Sequence, residues 1–154
     1  MVRAAEDGDN KTLRAEIETR HKLGSLTNAE ASTLAHAVAD REIKTTRGDD
    51  AAKRVREMRG CARELDDTLA DRMKTHDEAG AEAAMARLDL GRLDASDVRT
   101  YAADKIDGWR AVGVRGLTRE EDHAARVRAM TDPSPRVRRA AMHASTSARD
   151  ASAV

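Results

Sequence analysis

Thr131 to Ala144 reads T-D-P-S-P-R-V-R-R-A-A-M-H-A, and this stretch decides the fold class. Ser134 has the chemistry of an N-cap, because its hydroxyl can accept from an unpaired amide of a first helical turn. Pro135 follows at the first helical position, where a missing N–H costs nothing. Val137, Ala140, Ala141 and Ala144 then fall at i, i+3, i+4 and i+7, the stripe of a helix with one buried face. Arg136, Arg138, Arg139 and His143 occupy the other arcs. An echo lies 39 residues upstream, at Asp94 to Lys105 (D-A-S-D-V-R-T-Y-A-A-D-K). Val98-Arg99 matches Val137-Arg138, and Ala102 matches Ala141. A period of about 40 residues with these features marks stacked helical pairs.

The pattern of Asp, a short gap, Val-Arg and then Ala resembles the second helix of a HEAT-type repeat. The resemblance covers the chain from Asp77 to the end of the last helix. It implies that the Asp and Arg pair within or between repeats, and that the Val and Ala pack inside. Carried onto these residues, it pairs Asp132 with Arg138 and Asp94 with Arg99, and buries Val98, Ala102, Val137 and Ala141. The upstream copy departs in two ways: its Asp lies one residue closer to the Val, and Lys105 stands where Ala144 does on the stripe.

Composition bounds the core. The chain has 154 residues, the size of one domain, with one Trp, one Tyr, no Phe and a great excess of Ala. Alanine favours helix and lets helices approach closely, but buries little surface per residue. Thin layers of close-packed helices without a deep pocket are expected. Charged residues make up 36% of the chain and sum to zero, which argues against a generic nucleic-acid or membrane binder. The C-terminal third is mildly basic, since residues 101–154 hold ten Lys/Arg against seven Asp/Glu. No apolar run approaches the ~20 residues of a membrane span, and no signal-peptide pattern follows Met1. The lone Cys61 excludes an internal disulfide and fits a reducing compartment. A cytoplasmic protein is the expectation, with Cys61 a small core residue beside Met58 and Leu65.

Taken in order, Asp9 caps a first helix carrying Leu13 and Ile17, stopped by Gly24. Thr27 with Glu30 forms a capping box ahead of the stripe Ala31, Leu34, Ala35 and Val38. A long third helix, about Asp50 to Thr75, carries Met58, Ala62, Leu65 and Leu69 at spacings of 4, 3 and 4. That is close to a coiled-coil seam, read as an internal hairpin or as a dimerising face. Asp77 to Leu90 is a fourth helix and Asp94 to about Val112 a fifth, after which Gly113 and Gly116, with Gly108 before them, predict a loop. Thr118 with Glu121 opens a sixth helix with Ala124, Val127 and Met130 inward, and the Ser134 helix is the seventh. No segment has strand periodicity. The fold expected is all-α: about seven helices stacked as antiparallel hairpins in a short α-solenoid, with a globular bundle as the alternative. Residues 1–147 form one domain and 148–154 a small, polar, flexible tail.

Two Glu-x-x-His pairs, Glu18-His21 and Glu120-His123, have the spacing used by di-iron bundles. They lack the further carboxylates such a centre needs and read as helix-surface pairs. No phosphate loop, zinc spacing or nucleophile elbow is present, so no enzyme, cofactor or metal is expected. The reading is a protein-binding scaffold, or a fragment of a larger helical-repeat protein. Its candidate contact residues are Trp109, Arg126, Arg128, Arg136 and Arg139, facing a partner with an acidic surface. A nucleic-acid-binding helical protein with a basic C-terminal face is the alternative, disfavoured by zero net charge and few aromatics.

Overall fold

The computed structural model describes residues 10–152, within which there are nine α-helices and no strand. They are α1 (Asn10–Lys22), α2 (Asn28–Thr45), α3 (Asp49–Glu57), α4 (Asp66–Met73), α5 (Glu78–Asp89), α6 (Ala95–Tyr101), α7 (Asp107–Gly116), α8 (His123–Ala129) and α9 (Pro135–Ser152). Short 3₁₀ turns at Arg59–Cys61 and Glu120–Asp122 precede α4 and α8. The Asp9 cap lies outside the described residues. α1 buries Leu13 and Ile17, and Gly24 turns the chain at φ +71°. Thr27 and Glu30 form the expected capping box. In α2 the buried face is shifted toward the C-terminal end: Val38, Ala39, Glu42 and Ile43 are buried, while Ala35 is exposed.

α5 is the middle of the molecule. Every residue from Ala79 to Ala86 is buried, so this helix is covered on all sides. Only small side chains allow that, and the run A-G-A-E-A-A-M-A supplies them. On one side Ala79, Ala83 and Ala86 pack with Val55, Met58, Ala62, Leu65 and Leu69. On the other, Ala81, Ala84 and Met85 meet Trp109 and Val112 of α7. A third layer joins Ala111 and Val114 of α7 to Val137, Ala140 and Ala141 of α9. α5, α7 and α9 thus touch in succession, with α4, α6 and α8 each packed on the helix that follows it.

Four sequence expectations are corrected. The long third helix is broken into α3, a 3₁₀ turn and α4. A straight helix over 50–75 would run about 39 Å and α5 only about 18 Å, so half its stripe would lack a partner. The turn folds Met58, Ala62, Leu65 and Leu69 into one core, which leaves no dimerising seam; Cys61 is half-buried against the same core. Second, the glycine-punctured stretch is helix, not loop: Gly108, Gly113 and Gly116 lie within α7. Their missing side chains let neighbours in. A Cβ on Gly113 would stand 2.0 Å from the Ala102 amide nitrogen, and one on Gly116 would stand 2.7 Å from Val98 Cγ1. The fifth helix correspondingly splits into α6 and α7 at Asp104, whose carboxylate accepts from the Ile106 amide at 2.9 Å. Third, Thr118 and Glu121 make no capping box, and Val127 and Met130 point outward at 49% and 39% exposure, with Ala124 also exposed. The seven-residue α8 instead turns Ala129 and Arg126 inward. Fourth, α9 stays helical through Ser152, past the point where polar composition suggests fraying.

The repeat register is also different. Val98 and Val137 are buried and Ala141 fully so, as expected, while Ala102 is half-buried. The ion pairs are not those within each copy. Asp132 accepts from Arg110 (Nε 3.0 Å, Nη2 3.2 Å), while Arg138 donates to the carbonyls of Asp132 and Pro133 at 2.8 and 2.9 Å. Arg110 makes the same clamp on the carbonyls of Asp104 and Lys105, both at 2.9 Å. Asp132 accepts from the Ser134 amide at 2.8 Å just as Asp104 does from Ile106. The structural repeat is therefore Asp104…Arg110 and Asp132…Arg138, 28 residues apart, not 39. Arg99 pairs instead with Glu121 and Asp122, and Asp94 makes no cap hydrogen bond. Ser134 does not cap its own helix with its hydroxyl, which donates to Asp107 at the start of α7 at 2.7 Å.

The two kinds of glycine separate experimentally. Gly113→Ala forces α6 away from α7 and should cost about 3 kcal/mol, read as a large drop in melting temperature. Gly60 has ordinary backbone, and a Cβ added there would meet nothing within 4 Å. It should accept Ala with a gain of about 0.5 kcal/mol. Equal effects would show that α7 does not meet α6 through its glycine face.

Candidate protein-binding face

The five candidate contact residues do not form one patch. Trp109 is 1% exposed. Its indole N–H donates to the Asp77 carbonyl at 3.0 Å, its ring stacks on His76 with centroids 4.6 Å apart, and Tyr101 tilts against it at 4.7 Å. Gly80 lies directly beneath it, since a Cβ there would be 3.1 Å from the indole. In an Ala-rich core the one Trp is the space-filler between α5 and α7, and so it offers nothing to a partner. Arg126 is 3% exposed and is likewise withdrawn. Its Nη1 donates to the carbonyls of Leu117 and Arg119 at 3.0 and 2.6 Å, satisfying the chain where α7 ends.

Arg128 is exposed and lines a groove of about 400 Å³ between α6, α7 and α8, with Arg99, Asp122 and Asp132. Arg136 and Arg139 line a different cleft of about 280 Å³, where α5, α7 and α9 meet. Arg136, Arg139 and His143 follow at i, i+3 and i+7, so one face of α9 carries all three into that cleft. Arg115 of α7 and Arg59 of the 3₁₀ turn complete its basic rim; Met85, Ala111 and Ala140 make the floor. Among the described residues Arg128 and Arg139 have no hydrogen-bond or ion-pair partner.

Behind the cleft stands Glu82, which is 2% exposed. It accepts from Arg56 at 2.8 Å, Arg59 at 2.6 Å and Arg136 at 2.7 Å, and Arg136 also pairs with Glu78 one turn earlier on α5. Burial works to raise the Glu82 carboxyl. The hydrogen bond from Arg56 and the fields of Arg136 and Arg59 outweigh it and hold the group below the usual carboxylate range. Arg115 is anchored on Asp89 at 2.9 Å. Sequence reasoning missed Arg59, Arg115 and Glu82. The available signal was Glu82 itself, the one charge inside an otherwise small and apolar helical run.

The Glu-x-x-His pairs stay on the surface. Glu18 pairs with Lys22 and His21 with Asn28, and Glu120 and His123 are both exposed. Among the described residues no group of three His, Cys, Asp or Glu is arranged to hold a metal, and no helix is long and apolar enough to cross a membrane. Set against protein-family models, curated proteins and solved structures, the chain finds no match.

Acid should unlock the Glu82 network. Its folded-state affinity for a proton is reduced, so it contributes stability above its ordinary value of 4.5 and loses that contribution as pH falls further. The melting temperature should stay flat from neutral pH to about 5 and drop below 4.5. Glu82→Gln should lose about 3 kcal/mol at neutral pH, because three arginines lose their buried anion, and should show a shallower acid slope. A variant with the wild-type acid slope would remove Glu82 from the acid response.

Proposed function

We propose that this chain is a non-catalytic scaffold, a short solenoid-like stack of HEAT-like helical hairpins, that holds a protein with an acidic surface against the basic face of α5, α7 and α9. The architecture is supported by the succession α5–α7–α9 and by the Asp–Arg clamp that recurs from one hairpin to the next. The observation that carries the binding role is Arg139, unpartnered among the described residues, beside Arg59, Arg115 and Arg136 in a cleft whose lining holds no carboxylate. Electrostatic attraction at such a face raises the association rate and makes binding salt-sensitive. The two aromatic rings that a nucleic-acid site would use for base stacking are instead packed into the α5–α7 layer.

Fluorescence anisotropy with a labelled polyglutamate chain and a labelled DNA duplex, each titrated over increasing salt, tests this. Polyglutamate should bind at low salt, and the double variant Arg115→Glu/Arg139→Glu should weaken it about tenfold, roughly 0.7 kcal/mol for each charge. Circular dichroism and melting temperature should be nearly unchanged. Duplex bound more tightly than polyglutamate, with a steep salt slope, would transfer the face to the nucleic-acid reading. Unchanged polyglutamate binding by the double variant would move the interface off this face.

A further inference from the structure

We infer that the cleft between α5, α7 and α9 is a site for a phosphomonoester dianion, carried in the first instance by a phosphorylated segment of the acidic partner. This rests on the scaffold reading for its source, but the chemistry is set by the cleft. The carboxylates that neutralise its arginines stand outside the lining: Glu82 is buried behind it, and Glu78 and Asp89 lie beyond the rim. The guanidinium groups are therefore held from the rear with donors left over. Arg59 and Arg115 each spend only Nη2 on an acid, Arg136 spends Nη1 and Nη2, and Arg139 spends nothing. Side chains already ordered in this way lose little freedom when a ligand arrives. Arginine forks match phosphoryl oxygens in paired hydrogen bonds.

Charge and size choose the ligand. Arg56, Arg59, Arg115, Arg136 and Arg139 stand against Glu78, Glu82 and Asp89, an excess of two positive charges. A phosphate monoester carries about −1.5 to −2 at neutral pH, whereas a single carboxylate would leave half of that excess unanswered. The volume of about 280 Å³ falls at the lower edge of small-molecule pockets. It takes a phosphoryl group and its first carbons over the Met85, Ala111 and Ala140 floor, but not a nucleoside.

The intact chain should be titrated with three versions of one degenerate peptide pool, centred on phosphoserine, serine or glutamate. The phosphoserine pool should bind about tenfold more tightly than the glutamate pool, a gain expected of charge-assisted paired hydrogen bonds. O-phosphoserine and inorganic phosphate should displace it. Arg139→Ala should remove most of that preference, and Arg128→Ala, in the other groove, should leave it intact, with circular dichroism unchanged in both. A peptide pool no tighter than free O-phosphoserine would still support phosphoryl recognition and assign its source to a small phosphorylated molecule. Phosphoserine and glutamate pools that bind alike, or a preference untouched by Arg139→Ala, would overturn the site. If polyglutamate still bound in that event, the scaffold reading would stand alone; if it did not, both would fall.

Discussion

A single buried carboxylate ties together parts of the chain that are far apart in sequence. Glu82 sits in the most enclosed helix and gathers Arg56, Arg59 and Arg136 from α3, the following turn and α9. An isolated carboxylate in that position would be driven to take up a proton, and three guanidinium groups reverse this. Hydrophobic residues of similar volume would stabilise as well or better. What the charged arrangement adds is direction: Arg59 and Arg136 reach Glu82 from the cleft side, so the demand of the core also fixes the surface. The fold and the candidate site are therefore one construction, and the basic rim could not be moved without disturbing the centre of α5.

The scarcity of large side chains explains the rest of the architecture. Layers made of alanine and glycine are thin, so each helix must come close to its neighbours to gain contact. α7 does so through Gly113 and Gly116 toward α6, and toward α5 through Trp109 seated on Gly80. His76 completes this contact in a left-handed backbone conformation at φ 48°, between the Trp109 ring and the Asp104 carboxylate 2.9 Å away. Polar groups do much of the joining that large apolar groups do elsewhere. Arg14–Glu42 between α1 and α2 and Arg87–Asp66 between α5 and α4 are further examples, at 2.6 and 2.7 Å.

Helical class, the Leu13–Ile17 stripe, the Thr27 box, the Asp77 start and the buried faces at Val98, Val137 and Ala141 were legible in the sequence because each depends on neighbours within one or two turns. The breaks were not. Whether Asp50 to Thr75 runs straight depends on the length of α5, a partner that periodicity within the segment does not encode. Gly113 and Gly116 carry the local signature of a loop, and only the approach of α6 makes them helix-packing positions. Val-Arg recurred at 98 and 137 by composition, while the clamp that repeats in space links Asp104 to Arg110 and Asp132 to Arg138. For the site, α9's Arg136–Arg139–His143 face could be read from spacing; Arg59 and Arg115 enter only through tertiary packing. Trp109 and Arg126 show the converse error, since residue types favoured at interfaces are drawn inside when a core is short of bulk.

The clamp on Asp104 and Asp132 also makes the C-terminal half modular. Each hairpin presents an aspartate that its predecessor's arginine can grasp and an arginine for its successor, so donor and acceptor ends are complementary copies of one joint. Length can then change by whole units. An in-phase insertion of 28 residues between Ala103 and Asp104 repeats the joint and lengthens the row, whereas an insertion out of phase leaves one aspartate and one arginine facing the wrong neighbour. Such a chain is free to evolve reach without redesigning its interior.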